Sequence, residues 1–349
     1  MCRLLLVGRE AYGNLESSYR TAFEQLGCQV FDHDLVAAAE SHVPLGSVGR
    51  LLGRYISIEP WIQKANRDLI VRTRALEPDL VLVFGHRPVR VGALAQIRAS
   101  TQAKLVHIWP DTLLNWNTHM TASLPLYDLV ATYSQTTVPI LQRLGARRVV
   151  WLPLAGDLTL HADVPQREGD AQVYGADVCF VGGWRPEREE VLSRLEEFDL
   201  KIWGPDWGRR CRSNRAIGRA WQGRALYGAD FSRAVAHSKI NLNIIDPTNY
   251  PAANMRFFEI STAGGLQVSS PCPEMAREFC HGEQVFYYHR AEELPGLIRA
   301  LQSDGALCAR VAGAAREKIE AAHTYVHRAQ RVLQMYRGGF VESEETHVG

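Results

Sequence analysis

Short apolar runs alternate with amphipathic stretches along most of the chain. RLLLVG at residues 3–8 reads as a buried strand, SSYRTAFEQLG as a helix closed by Gly27, and CQVFDHD as a second strand. Unbroken apolar runs suit a strand covered on both faces, whereas apolar positions three and four apart line one side of a helix. A long helical region follows through WIQKANRDLIVRTRALEPD, then a strand LVLVFG, a helix VRVGALAQIRA and a strand KLVHIWPD. DLVATYS, TTVPILQRLG and RRVVWLPL add strand, helix and strand. Six short strands separated by helices predict a parallel, doubly wound sheet, because parallel neighbours need crossovers of a dozen or more residues.

The polar stretch AGDLTLHADVPQREGDAQVYGAD interrupts the pattern and marks a domain boundary. Beyond it the alternation restarts with VCFVGG, REEVLSRLEEF, LKIWG, FSRAVAHS, INLNII, MRFFEISTAGG, LQVSS, MAREFC and VFYYH, and then three helices, AEELPGLIRALQSD, ALCARVAGAAREKIEAAH and TYVHRAQRVLQMY. The expected organisation is an N-terminal Rossmann-like domain over 1–158, a linker over 159–176, a second such domain over 177–322, a helix over 323–339 and a loose tail over 340–349. In sheets of this kind, ligands bind outside the carboxyl ends of the strands, so function is sought in the strand-to-helix loops.

Composition narrows the class of protein. Apolar residues make up 46% of the 349 and charged residues 22%, which is ordinary for a folded chain, and a net charge of +1 gives no pull toward nucleic acid or anionic membrane. Seven cysteines form no C-x-x-C pair, so neither a zinc knuckle nor a disulfide framework is indicated and a reducing compartment fits. The apolar run in MCRLLLVGRE is too short for a signal peptide, and no stretch is long enough to span a membrane. A cytoplasmic location is expected.

Several loops carry candidate chemistry. In VGREAYGN, Gly8 and Gly13 are spaced for neither a dinucleotide fingerprint nor a P-loop; they suit either a backbone that approaches phosphate or a plain tight turn. In FVGGWRPEREE, Gly182 and Gly183 end a strand, and Arg185 and Arg188 flank a helix start where phosphate would be welcome, unless Glu187, Glu189 and Glu190 already pair with them. In NYPAANMRFFEISTAGG, Glu259 points near the apolar face of a helix. It either pairs locally with Arg256 or accepts two hydrogen bonds from a vicinal diol such as a ribose. Asp111 in HIWPD ends a strand, as a general base or a helix cap would, and His86 in VFGHRPV is comparable, whereas His107 reads as a packed strand histidine. Trp203 and Trp207 in IWGPDW suit base stacking or core packing, and the five arginines between Arg209 and Arg219 suit a phosphorylated partner or a solvated loop.

Together, FVGGWRPERE, LKIWGPDW, SKINLNI, NMRFFEISTAGG and HTYVHRAQRVL resemble the CgeB-like (spore-maturation) glycosyltransferases, whose fold is the GT-B type, two Rossmann-like doubly wound domains facing each other across a cleft. The resemblance implies a nucleotide-sugar on the C-terminal half and an acceptor on the N-terminal half. It puts Glu259 on the donor ribose, Asn254 and Arg256 near the diphosphate, and Arg185 and Arg188 against the departing diphosphate without a metal. Gly182, Gly183, Trp203, Gly204, Gly264 and Gly265 would complete the nucleotide-sugar site, with Gly8 and Gly13 on its phosphate side in the N-terminal domain. Many retaining relatives carry a glutamate eight positions before the ribose glutamate. Here that position is Pro251, which puts a retaining mechanism in doubt.

The reading is therefore a glycosyltransferase moving a sugar from a nucleoside-diphosphate-sugar, UDP by default, to a hydroxyl of a glycan, lipid or small molecule, with no other cofactor. Asp111 and then His86 are the bases if it inverts. No nucleic acid partner is expected; peripheral membrane contact remains compatible. The alternatives are a nucleotide-sugar epimerase of the same fold and a non-catalytic nucleotide- or glycan-binding protein.

Overall fold

The computed structural model describes residues 1–9, 11–43 and 57–339. The expected tail at 340–349 lies outside them. The chain divides into two compact units, one comprising Met1–Pro153 with the residues from Tyr325 onward, the other Leu154–Thr324.

The first unit is built on six strands, β1 (Arg3–Gly8), β2 (Gln29–Asp34), β3 (Leu80–Phe84), β4 (Lys104–Trp109), β5 (Leu129–Thr132) and β6 (Val149–Trp151). They form one parallel sheet in the order β2-β1-β3-β4-β5-β6. Leu5, Val7, Val81, Val83, Leu105 and Val130 supply its core. Helices on both faces hide the central strands, which is why every residue of β3 is apolar and buried. The Tyr325–Arg337 helix belongs to this unit and packs on the Leu15–Gln25 helix, with the Tyr19 and Tyr325 rings 5.2 Å apart.

The second unit carries β7 (Ala176–Val181), β8 (Leu200–Trp203), β9 (Ser238–Asn243), β10 (Gln267–Ser269) and β11 (Phe286–Tyr287), parallel in the order β8-β7-β9-β10-β11. After β7 the chain adds β8 on one side and then returns to place β9 on the other. The loops leaving β7 and β9 therefore diverge, which opens a crevice at this switch point.

Two local expectations differ from what is found. MAREFC forms successive turns instead of a helix: Pro271 and Pro273 restrict the entry, and Phe279 N–H donates to Met275 O in one isolated turn. The stretch 159–176, expected as a linker, carries short helices at Leu158–His161 and Asp170–Tyr174, and it buries His161 and Asp170 within the second unit. Among the described residues no helix is long and apolar enough to cross a membrane.

Candidate active site

In the second unit, the carboxyl end of β7 is shaped by glycines. Gly204 has φ +154°, and a Cβ there would lie 2.0 Å from the Gly182 carbonyl oxygen, so only glycine lets the loops after β7 and β8 touch. The Gly182 N–H donates to Trp203 O at 2.8 Å, and Gly182 O accepts from Trp207 Nε1 at 2.9 Å. A Cβ on Gly182 would press the Phe180 ring at 2.8 Å, whereas Gly183 has ordinary room against Pro205.

Arg188 closes the switch point. It lies on the Pro186–Leu192 helix, and its Nη1 donates to Gly183 O at 2.8 Å while its Nε donates to Ile244 O at 3.3 Å. One guanidinium thereby ties the ends of β7 and β9. Burial lowers its pKa, Asp246 opposes that, and the like charges of Arg185 and Arg256 add to it. Arginine stays protonated under such shifts, so the crevice holds a fixed positive charge whose hydrogen bonds go to neutral carbonyls.

Of the glutamates on this helix, Glu187 acts on Arg188 electrostatically, whereas Glu189 is engaged elsewhere. Glu189 accepts from Trp184 Nε1 at 2.7 Å and from Asn214 Nδ2 at 3.3 Å. Arg185 instead faces Asp246, Nε to Oδ2 at 3.3 Å. Burial would raise the Asp246 pKa, but hydrogen bonds from Thr248 and the two guanidiniums outweigh it and leave it lowered.

On the Met255–Thr262 helix, Asn254 is the N-cap, its Oδ1 accepting from Phe257 N–H at 3.0 Å. Its amide also pairs reciprocally with that of Asn243, at 3.1 and 3.0 Å, which docks the helix start on the end of β9. Asn254 is thus occupied by the fold instead of being free for phosphate. Arg256 Nη1 meets Glu259 Oε2 at 2.7 Å, and the guanidinium lies over the Phe231 ring, 4.2 Å from its centroid. Glu259 Oε1 lies 3.7 Å from His161 Nε2. Burial alone would raise the Glu259 carboxyl, but Arg256 and then His161 overcome it and hold its pKa down to about 2. The local ion pair and the diol reading are compatible, because an ionised carboxylate has about four acceptor positions and these contacts leave some unused.

Three expected members of the site belong elsewhere. Trp203 is 2% exposed and packs with Leu226, Phe231 and Tyr174, so its ring faces are unavailable to a base. Gly264 (φ +76°) ends the helix in a left-handed turn, and a Cβ on Gly265 would strike Val235 at 2.3 Å. Both precede β10 and lie at the amino edge of the parallel sheet, away from the crevice. Trp207 is fully buried, and the arginines from Arg209 to Arg219 are exposed around two short helices, with Arg209 on Asp206 at 3.2 Å and Arg210 over Trp184.

In the first unit, Gly8 ends β1, and His86 and Asp111 follow β3 and β4, at one carboxyl edge of the sheet. Gly8 and Gly13 flank a stretch whose described residues are engaged within the fold. Asn14 caps the Leu15–Gln25 helix, Gly13 has φ +71°, and Glu16 Oε1 takes the Arg9 N–H at 3.2 Å and Arg87 Nη2 at 2.6 Å. The Glu16 carboxylate therefore already takes one backbone N–H of this stretch and the Arg87 guanidinium. Asp111 accepts from Thr112 N–H at 2.7 Å and Asn115 Nδ2 at 2.6 Å, and His86 is exposed beside Trp109. His107 is a buried strand histidine packed among Trp109, Trp116 and Tyr127, its pKa pushed down by burial to about 3.

Sequence reasoning passed over His161, Phe231, Ser232 and Asp246. The first sat in a presumed linker, and the others have no motif around them.

Residues 187–334 match the family model described as Glycosyl transferase-like. Sucrose-phosphate synthase from Thermosynechococcus elongatus is 14% identical with a TM-score of 0.69, the alignment covering 97% of this chain and 99% of that one. HepE of Anabaena, solved in complex with UDP-glucose, is 14% identical at a TM-score of 0.64, covering 97% and 100%. A glycosyltransferase from Rickettsia africae ESF-5 is 14% identical at 0.65, covering 98% and 99%. No curated protein sequence matches the chain. The fold is GT-B, with two parallel-sheet α/β domains, and the matched model is that of glycosyltransferases.

Proposed function

We propose that the protein transfers a sugar from a UDP-sugar to a hydroxyl group, with the donor held by the second unit. The observation that carries this reading is Arg188, a half-buried guanidinium tying the ends of β7 and β9 at the switch point, on which the charges of Asp246, Arg185 and Arg256 act. The Arg188 guanidinium donates to neutral carbonyls and keeps its charge, which suits a diphosphate. HepE, of the same fold, was solved with UDP-glucose, and UDP is the nucleotide we assign.

In the transfer, the bond from the anomeric carbon to the diphosphate oxygen breaks as the acceptor oxygen bonds to that carbon. The arginines stabilise the charge gathering on the departing diphosphate, a role that would otherwise fall to a metal. With Pro251 where many retaining relatives have a glutamate, we favour inversion, and Asp111 or His86 takes the acceptor proton. The CgeB-like assignment rests on the motifs FVGGWRPERE and NMRFFEISTAGG. A glycan, lipid or small molecule remains the acceptor class.

The test is incubation with a panel of UDP-sugars and hydroxyl acceptors in the presence of a chelator, reading UDP release and glycosylated product. Acceptor-dependent release is expected. Interconversion of UDP-sugars without acceptor would replace this reading with an epimerase.

A further inference from the structure

Glu259 is useful to a ribose only if its carboxylate is held at a fixed angle, and Arg256 grips just one oxygen, Oε2. The other, Oε1, looks toward His161, which is 6% exposed although it ends a helix of four residues in a polar segment. The imidazole is held on two sides. Phe231 meets it edge-on with ring centroids 5.1 Å apart, and Ser232 Oγ lies 3.1 Å from Nδ1. Phe231 is also the ring beneath the Arg256 guanidinium. One buried phenylalanine therefore registers both residues that face the carboxylate.

The proton arrangement follows from the charges. Ser232 Oγ can donate to Gly228 O, at 3.4 Å, or to Nδ1. In the first case Nδ1 carries the proton and the Nε2 lone pair faces an anionic oxygen, which is repulsive. In the second, Nε2–H points at Oε1. Facing the carboxylate, the favourable arrangement is the one that turns an Nε2–H toward Oε1. At 3.7 Å the pair is beyond direct hydrogen-bond reach and acts as a charge–dipole contact.

We infer that His161 is a positioning residue that, with Arg256, clamps the Glu259 carboxylate so that its remaining lone pairs face the vicinal hydroxyls of a nucleotide ribose. This rests on the donor-site reading above. It makes the segment that enters the second unit at Leu154 part of sugar discrimination in the nucleotide.

The experiment is calorimetric titration of UDP and 2′-deoxy-UDP into wild type, His161→Phe and His161→Gln, with thermal unfolding of each to confirm folding. Wild type should prefer UDP. His161→Phe should lose roughly tenfold of its UDP affinity, the scale of one charge-assisted hydrogen bond, and bind 2′-deoxy-UDP as wild type does. His161→Gln, which keeps an amide donor, should retain part of the preference, and it carries the test if the phenylalanine variant does not fold. If wild type prefers UDP and both variants keep the full preference, or lose both ligands equally, His161 does not position the carboxylate while the donor reading stands. If wild type binds both nucleotides equally, the ribose role of Glu259 itself fails.

Discussion

The Arg188 guanidinium donates to Gly183 O at 2.8 Å, folding back over the strand end that precedes its own helix. Its second bond, to Ile244 O, lies across the switch point. The residue serves packing and electrostatics at once, and the two can be separated experimentally. Arg188→Gln should weaken UDP binding about tenfold or more while leaving uridine binding nearly unchanged, because only the diphosphate needs the charge. The same variant should lose roughly 1–3 kcal/mol of stability, from two carbonyls left with poorer donors. Parallel titrations with UDP and uridine, and a urea melt, check both.

Gly204 should tolerate no side chain. With φ at +154° and the Gly182 carbonyl oxygen 2.0 Å from a built Cβ, Gly204→Ala forces apart the loops after β7 and β8. A loss of about 3 kcal/mol or more in a denaturant melt is expected. Gly183→Ala, whose Cβ meets only Pro205 at 3.5 Å, should cost far less.

Acid stability should carry two separable signatures. The folded-state pKa of Glu259 is depressed from 4.5 to about 2, so its contribution is fully present above 4.5 and disappears as pH falls through 2. It is on the order of 3 kcal/mol. Glu259→Gln should therefore be less stable than wild type at pH 6, with the gap narrowing below pH 4.5. His107 is depressed from 6.5 to about 3, so stability is lost over the higher window, from 6.5 downward, at up to about 1.4 kcal/mol per pH unit. His107→Leu should flatten that limb. Denaturant midpoints measured from pH 7 to pH 3 distinguish the two.

Catalysis should separate from binding. Asp111 and His86 belong to the first unit, whereas the residues assigned to the nucleotide belong to the second, so Asp111→Asn and His86→Ala test catalysis apart from UDP binding. The variant lacking the true base should lose about 10²- to 10⁴-fold in kcat with UDP affinity unchanged. Single-turnover rates beside titrations reveal which residue it is.

Strands such as β3, buried at every position, were legible because their apolar runs are covered on both faces. The Arg256–Glu259 pair was legible from its i,i+3 spacing. What the chain did not disclose depends on neighbours distant in sequence. Trp203 lies at the end of a strand, and whether such a ring faces core or solvent depends on Leu226 and Phe231 packing on it. Gly264 and Gly265 share a motif with Glu259, yet the Met255–Thr262 helix carries them to the other edge of the sheet. His161 was hidden because short helices in polar sequence leave no periodic signal. Gly8 and Gly13 suggested a phosphate loop, whereas the Glu16 carboxylate takes the Arg9 N–H of that stretch.

The central claim, that the second unit binds a nucleoside diphosphate through its ribose and phosphates, is tested most directly by calorimetric titration of UDP, GDP, dTDP, ADP and CMP into wild type and Glu259→Ala. One nucleotide, UDP, should bind, and the variant should weaken it at least tenfold, about 1.4 kcal/mol. No binding by any nucleotide, or equal binding by the variant, would leave Glu259 as the ion-pair partner of Arg256 and contradict the site built around it.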